Sequence, residues 1–312
     1  MITTITLNAA IDQVYEMNAL MLGKTNRVLQ KLQQGGGKGI NVARVIQTLG
    51  GEVVIGGFVG GLNGEKIKAL LKEENMQTGF IQIEGESRIC LTVSNKQTKE
   101  MTELLEDGPM IYEHEWQEML KWIKAQAECS EYFVLSGSLP KGIPMAAYGM
   151  IIRLLKQKGV RVALDTSGEA LKQGVEAIPF IIKPNEDEII QLIGKQVKAQ
   201  DDFIQAGEKI QDLGIEHVCF SLGEKGALFV NRLGVYQVNA PKINVINTVG
   251  SGDAFLGGLV YKLSEGVDCT EAYKWAVACG SANAGEKEIA KVQKETVQSL
   301  IKELQITKIK ER

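Results

Sequence analysis

The residues Asn247-Thr248-Val249-Gly250-Ser251-Gly252-Asp253-Ala254-Phe255 combine two glycines, a serine hydroxyl and a carboxylate at the start of a long apolar segment. That pattern predicts a loop feeding the N-terminus of a buried helix. Gly250 and Gly252 let the backbone approach a ligand at low steric cost. The amides of Gly250, Ser251 and Gly252 are expected to point outward, unpaired, at the positive end of the helix dipole, where phosphate is attracted. A carboxylate is a poor holder of phosphate, so Asp253 suits another task. It can take the proton from a hydroxyl as that hydroxyl attacks phosphorus. The same letters also read as a plain glycine turn with an ordinary helix-start acid. The local pattern leaves both readings open.

Strands alternating with helices must position these groups. Ile2–Leu7 alternates and is β-branched, as a strand should be. Short strands are expected at Gln13–Asn18 and Arg27–Gln33, away from the main core. After Gly35-Gly36-Gly37-Lys38-Gly39-Ile40-Asn41, the apolar residues Val42, Val45, Ile46 and Leu49 have helical spacing. A strand at Val53–Phe58 and a helix to about Asn75 follow. The stretch 80–106 then breaks the rhythm, with strands expected at Phe80–Ile83, Arg88–Ser94 and Met101–Leu105 and a hairpin near Lys96–Lys99. With 13–34 it forms a candidate small sheet. Alternation returns with helices over 113–128, 145–158 and 202–213 and strands at Tyr132–Ser136, Val160–Leu164, Phe180–Lys183, His217–Ser221 and Ala227–Val230. Helices at 251–265, 270–284 and 294–304 finish the chain. Such alternation implies right-handed crossovers and a mostly parallel, two-faced sheet, with ligands beyond the carboxyl ends of its strands. Asp12, Lys38, Ser136-Gly137-Ser138, Asp165, Lys183-Pro184-Asn185 and Ser221-Leu222-Gly223 all fall just after such ends and are expected to line one crevice.

The composition narrows the function. With 312 residues, 44% of them hydrophobic, the chain can bury a large core without staples. A net charge of −3 argues against general binding to nucleic acid or an anionic membrane. Met1 to Ala10 has neither a basic region nor a long apolar run, so a cytoplasmic protein with no membrane span is expected. The five cysteines are scattered, which suits reduced core thiols. Gly35–Gly39 lacks the G-K-[ST] of a Walker loop, and Gly57–Gly64 does not match G-x-G-x-x-G. Two histidines, His114 and His217, do not support a histidine metal site. His217 begins an apolar strand and reads as structural. No serine lies in G-x-S-x-G.

Gly35-Gly36-Gly37-Lys38-Gly39-Ile40-Asn41-Val42-Ala43-Arg44 and Thr248-Val249-Gly250-Ser251-Gly252-Asp253 together resemble the two signatures of the PfkB/ribokinase family of sugar kinases. The likeness spans nearly the whole chain. Asn8–Asp12, Gly56–Gly64, Ser136–Pro140, Lys183–Asn185 and Ser221–Gly223 follow in the family's order. Ser87–Cys90 and Thr102–Pro109 are most similar to its phosphosugar branch, the tagatose-6-phosphate kinases and 1-phosphofructokinases, with a slight inclination to tagatose 6-phosphate. Two letters depart from the pattern: Ala9 stands where the family usually has proline, and Ser251 where it commonly has alanine.

The resemblance implies a ribokinase-like three-layer α/β/α fold, α/β in class, with a mostly parallel central sheet and a small β-sheet lid. Residues 1–312 would form one kinase domain, with the lid at about 13–34 and 80–106. It implies ATP as phosphoryl donor, Mg²⁺ as cofactor and a ketohexose monophosphate as acceptor. Asp253 would be the base, and Gly250, Ser251 and Gly252 would stabilise the moving phosphoryl group. Asp12, Gly36, Gly37, Asn41 and Ser136 would bind the sugar. Lys38, Arg88 and Arg27 would grip the phosphate it already carries, since a dianion needs more than one cation and arginine offers a fork. Lys183, Asn185, Ser221, Gly223, Gly226, Thr248 and Asn283 would serve ATP, with Asn185 and Glu188 linked to Mg²⁺ through water. A homodimer paired through the lid is also implied. Two other readings remain: a kinase for an unphosphorylated sugar, nucleoside or vitamin alcohol, and a non-catalytic nucleotide or sugar-phosphate sensor. Arg88 and Lys38 disfavour the first, because a neutral substrate would leave them unpaired. Asp253 disfavours the second, because a sensor needs no base.

Overall fold

The computed structural model describes residues 1–98 and 100–312. Its elements are β1 (Ile2–Thr6), β2 (Ala10–Met17), β3 (Gln30–Gly36), α1 (Lys38–Leu49), β4 (Val53–Gly60), α2 (Gly61–Glu73), β5 (Gln77–Ile83), β6 (Arg88–Asn95), β7 (Met101–Leu105), α3 (Glu113–Gln126), β8 (Tyr132–Ser136), α4 (Ala147–Lys156), β9 (Arg161–Asp165), α5 (Gly168–Val175), β10 (Ile181–Ile182), α6 (Glu186–Ile193), α7 (Gln200–Gln211), β11 (His217–Ser221), β12 (Ala227–Asn231), β13 (Gly234–Val238), α8 (Ser251–Ser264), α9 (Cys269–Ala284), α10 (Lys294–Glu303) and β14 (Ile306–Glu311).

The large sheet runs β14-β13-β12-β11-β10-β9-β8-β1-β4-β5. From β11 to β5 every neighbouring pair is parallel, and β12, β13 and β14 extend it in antiparallel fashion. Its inner strands are buried on both faces because their residues alternate between two cores. Tyr132, Val134, Ala163, Cys219 and Phe229 point to the face covered by α1, α8 and α9. Phe133, Leu135, Val162, Leu164, Phe220 and Leu228 point to the face covered by α3, α4 and α7. The three-layer α/β/α arrangement follows from that alternation. All five cysteines are free thiols. No helix among the described residues is long and apolar enough to cross a membrane.

The small sheet is ordered β3-β2-β6-β7, with β2 and β6 parallel and the outer pairs antiparallel. Its content corrects two expectations. The segment 80–83, assigned from sequence to the small sheet, lies in β5 and pairs in parallel with β4 at the edge of the large one. Asp12, read as following the first strand of the core, is inside β2, three residues into the small sheet. The turn expected near Lys96–Lys99 reaches Lys99, which lies outside the described residues. Strands β13 and β14 were not anticipated from the sequence. In β14, Lys308, Lys310 and Glu311 read as a polar tail, yet charged residues are what protects the exposed edge of a sheet.

Candidate active site

Four parallel strands end at one place. Ser136, Asp165 and Ser221 are the last residues of β8, β9 and β11, and Lys183 follows β10 directly. Two helices start there. Lys38 opens α1, and Ser251 opens α8 after Gly250, whose φ of +78° is the left-handed conformation that favours glycine.

Asp253 sits in the first turn of α8, with 6% of its surface exposed. Asn41 donates to its Oδ2 at 2.9 Å. Burial pushes the Asp253 carboxyl up to about 6, and the neighbouring Asp165 adds to this, against the pull of Lys38, Asn41 and Lys183. Asp12 is also pushed up to about 6 by burial, with Arg44, the Gly37 amide and Arg88 pulling it down and Asp253 pushing it up. The two carboxyls therefore share a site: one from the small sheet, one from α8. Gly36 makes room for Asp12, since a Cβ there would lie 2.1 Å from the Asp12 Cγ.

Asp165 is 1% exposed and carries two cations, Lys38 Nζ at 3.4 Å and Lys183 Nζ at 3.3 Å. Burial opposes its charge, but the two ammonium groups outweigh burial and hold its carboxyl below the usual range. Asp165 in turn raises the Lys38 pKa. The ammonium of Lys183 also faces the start of α8, where a Cβ on Gly252 would meet its Nζ at 3.3 Å.

The amide cradle differs in one member from the one read in the sequence. The Ser251 amide donates to the Thr248 carbonyl at 3.1 Å and is occupied within the turn. Among the described residues, no acceptor meets the amides of Gly250, Gly252 and Asp253. The open donors are thus 250, 252 and 253. Thr248 is exposed beside them.

Other residues also fall differently from expectation. Asn283 is fully buried, and its Nδ2 donates to the Val249 carbonyl and the Ser251 hydroxyl, both at 2.9 Å. It braces the turn from inside. Ser136 is fully buried with an unpartnered Oγ, so the crevice hydroxyl is that of the exposed Ser138, which accepts from Asn8 Nδ2 at 3.1 Å. Arg27 is exposed in the loop between β2 and β3, at the opposite end of those strands from Asp12 and Gly36. Lys38 lies against Asp165 near the α8 turn rather than against the small sheet.

Arg88 opens β6 opposite Ala10. It donates to the Asn8 carbonyl at 3.2 and 3.3 Å and to the Glu106 carbonyl at 2.9 Å. Among the described residues it has no carboxylate at ion-pair distance. Its hydrogen-bond partners are backbone carbonyls, and its charge acts on Asp12 without an ion pair.

On the other side of the α8 turn, Asn185 caps α6. Its Oδ1 accepts from the Glu188 amide at 2.8 Å, and Glu188 Oε2 accepts from the Asn185 amide at 2.9 Å. Glu188 is not on a solvated face: it is 6% exposed, and burial raises its pKa. Ser221 is half-buried and Gly223 exposed at the end of β11, while Gly226 is buried with a φ of +86°. His217, at the start of β11, is buried and bonded through Nδ1 to the Tyr273 hydroxyl at 2.7 Å, remote from these strand ends.

The sequence reading placed Asp165 in the crevice but gave it no task; its pairing with Lys38 and Lys183 came only from the structure. That reading missed Arg44, which the letters presented only as one member of a signature.

The chain is 35% identical over 309 residues to the 1-phosphofructokinase of Bacillus subtilis (strain 168), covering 99% of this chain and 100% of that protein. Phosphofructokinase-2 from Escherichia coli, crystallised with potassium, superposes with a TM-score of 0.90 at 28% identity, over 97% of this chain and 98% of that one. Ribokinase from Thermotoga maritima, at 21% identity and a TM-score of 0.78 over 96% of this chain and 99% of that one, shares the fold. A model of pfkB family carbohydrate kinases matches residues 5–295, and on that span the chain belongs to this family.

Proposed function

We propose that this ATP-dependent carbohydrate kinase transfers the γ-phosphoryl group to the free primary hydroxyl of a ketohexose monophosphate, giving a 1,6-bisphosphate. One observation carries the reading. Asp253 lies at the open amides of α8, held by Asn41, with Asp12 sharing the site and Arg88, which makes no ion pair among the described residues, beyond it. In this reading Asp253 takes the acceptor's proton. Its pKa of about 6 leaves it ionised at neutral pH yet still basic enough to accept. The amides of Gly250, Gly252 and Asp253, with Lys38 and Lys183, stabilise charge on the transferring group. Asp12 accepts hydroxyls of the sugar, and Arg88 meets its phosphate.

Asn185, Ser221, Gly223, Gly226 and Thr248 form the nucleotide side. Glu188 with Asn185 fits a Mg²⁺ held through water. Among the described residues no group of three acidic, histidine or cysteine side chains gathers. Mg²⁺ on a nucleotide uses one or two carboxylates and keeps several waters. The ion would neutralise charge on the phosphates.

The full-length likeness to a 1-phosphofructokinase favours fructose 1-phosphate over tagatose 6-phosphate as first candidate. The test is ADP release with ATP and Mg²⁺ against fructose 1-phosphate, fructose 6-phosphate and tagatose 6-phosphate at matched concentrations. Turnover on one of them at kcat/KM well above unphosphorylated ketohexoses supports the proposal. Preference for an unphosphorylated sugar or nucleoside overturns it, as does an absence of ADP release.

The small sheet acts in this reading as a lid that excludes water, a competing acceptor. Its exposed Leu20, Met21, Leu22, Leu104 and Leu105 are suited to pairing with a second copy. Light scattering at micromolar concentration tests the homodimer, and a monomer alone would remove it.

A further inference from the structure

Asn41 and Arg44 lie one turn apart on α1. Arg44 Nη1 donates to Asn41 Oδ1 at 3.0 Å, and Asn41 Nδ2 donates to Asp253 Oδ2 at 2.9 Å. Three more donors of Arg44 are also engaged. Nε and Nη2 grip Glu74, at the C-terminal cap of α2, at 2.6 and 3.1 Å, and Nη2 reaches the Gly35 carbonyl at 2.8 Å. The Arg44 side chain is 12% exposed, so the fork is largely withdrawn from water.

The chemistry of the two groups makes this arrangement directional. An amide presents an oxygen on one side and an NH₂ on the other, and a half-turn exchanges them. Guanidinium is a donor only. The Asn41 atom facing Arg44 must be the oxygen, so the atom facing Asp253 must be the NH₂. An Asn41 free to turn could offer its oxygen to a protonated Asp253 and favour that form. With Arg44 in place, only the ionised carboxylate is well met. The bond to Gly35 gives the same guanidinium a hold on the last residues of β3, where the small sheet joins α1 beside Gly36 and Asp12.

We propose that Arg44 is a positioning residue that locks the Asn41 amide in the orientation keeping Asp253 ionised. The inference rests on the reading of Asp253 as the base. Lysine cannot replace it, because one ammonium cannot grip Glu74, Gly35 and Asn41 together.

The test is the pH dependence of kcat/KM for Arg44→Met and Arg44→Lys. Lys38 and Asn41 from α1, Asp165 from β9, Lys183 after β10 and Asp12 from β2 all act on Asp253. Arg44, Arg88, Asp253 and the Gly37 amide act on Asp12. None of these except Arg44 is changed. Arg44→Lys keeps the positive charge that acts on Asp12, so its acid limb isolates the relay, and it is expected to move upward by about one pH unit. A kcat lower by ~10- to 100-fold at neutral pH is also expected, since a bond to a charged group is at stake. In an Asn41→Ala background, Arg44→Lys should add little, because the relay is already cut and the charge that acts on Asp12 is kept. An unmoved acid limb, or a full additive loss in that background, overturns the proposal and leaves Arg44 as a tie between α1 and α2. If Arg44→Met does not fold, Arg44→Lys decides by the same limb. Asp253→Asn, run in parallel, separates the two levels. Near-normal turnover there would remove the base assignment itself, whereas an inactive Asp253→Asn beside an unmoved limb removes only the role of Arg44.

Discussion

The ammonium of Lys38 lies 3.4 Å from both carboxylate oxygens of Asp165. Lys183 holds Asp165 from another side, so this carboxylate stays paired if Lys38 is removed. Lys38→Met is therefore expected to fold and to lower kcat by ~10- to 10³-fold, as loss of a charge on the transferring group does. The KM for the phosphosugar should change little. Steady-state kinetics decide. A large rise in that KM with kcat kept would put Lys38 on the sugar's own phosphate.

Asp253→Asn keeps the size of the side chain and an oxygen for Asn41 but removes the proposed base. Turnover should fall by roughly 10²–10⁴ with ATP binding little changed. Titration of the variant with ATP, alongside single-turnover rates, checks both halves.

The pH profile follows from the same residue. Asp253 must be ionised to accept a proton, and burial first of all sets its pKa at about 6. Activity should therefore drop as pH falls below about 6 and level off above it. Asp12, also at about 6, is coupled to it. The limb then belongs to the pair, whose mutual repulsion spreads it over two macroscopic steps. A flat profile down to pH 5 would contradict this assignment.

Stability carries the opposite sign. A carboxyl whose folded pKa is raised from 3.8 to about 6 favours folding only while protonated, and that advantage is lost as pH rises through 6. Ionised Asp253 thus weakens the fold at neutral pH. Asp253→Asn should be more stable than the parent at pH 8, by on the order of 2 kcal/mol. The difference should shrink between pH 6 and pH 4. Thermal melts of both proteins across that range test it.

Arg88→Ala removes a cation that has only backbone carbonyls as partners. It should raise the KM for the phosphosugar by ~10- to 100-fold, the scale of a lost charge-assisted contact. The KM for ATP should move much less. If the ATP value moved instead, Arg88 would belong to the nucleotide side.

Much of this was legible in the letters because it is local. The strand at Tyr132–Ser136 and the helix after Gly250-Ser251-Gly252 are written by apolar spacing and by residues with special backbone freedom. Those signals need no knowledge of neighbours, and they bring Ser136, Asp165, Lys183 and Ser221 to one end of a parallel sheet. Period-two alternation at Phe80–Ile83 was equally legible, but it marks a strand without naming its partner. Pairing with β4 rather than with the small sheet is settled by contacts distant in sequence. The charged β14 was invisible for the same reason, since only β13 makes it a strand.

From the sequence alone came the family likeness, the alternating α/β order and the identity of Asp253 as the carboxylate worth watching. Tertiary structure alone decided what each side chain meets: Lys38 on Asp165, Asn283 beneath the turn, the Ser251 amide inside it, and Arg44 turning Asn41 toward Asp253. A residue's type states which bonds it can form. Which of those bonds exist depends on chain segments far apart in sequence, 212 residues for Asn41 and Asp253, and on burial that removes water as the competing partner.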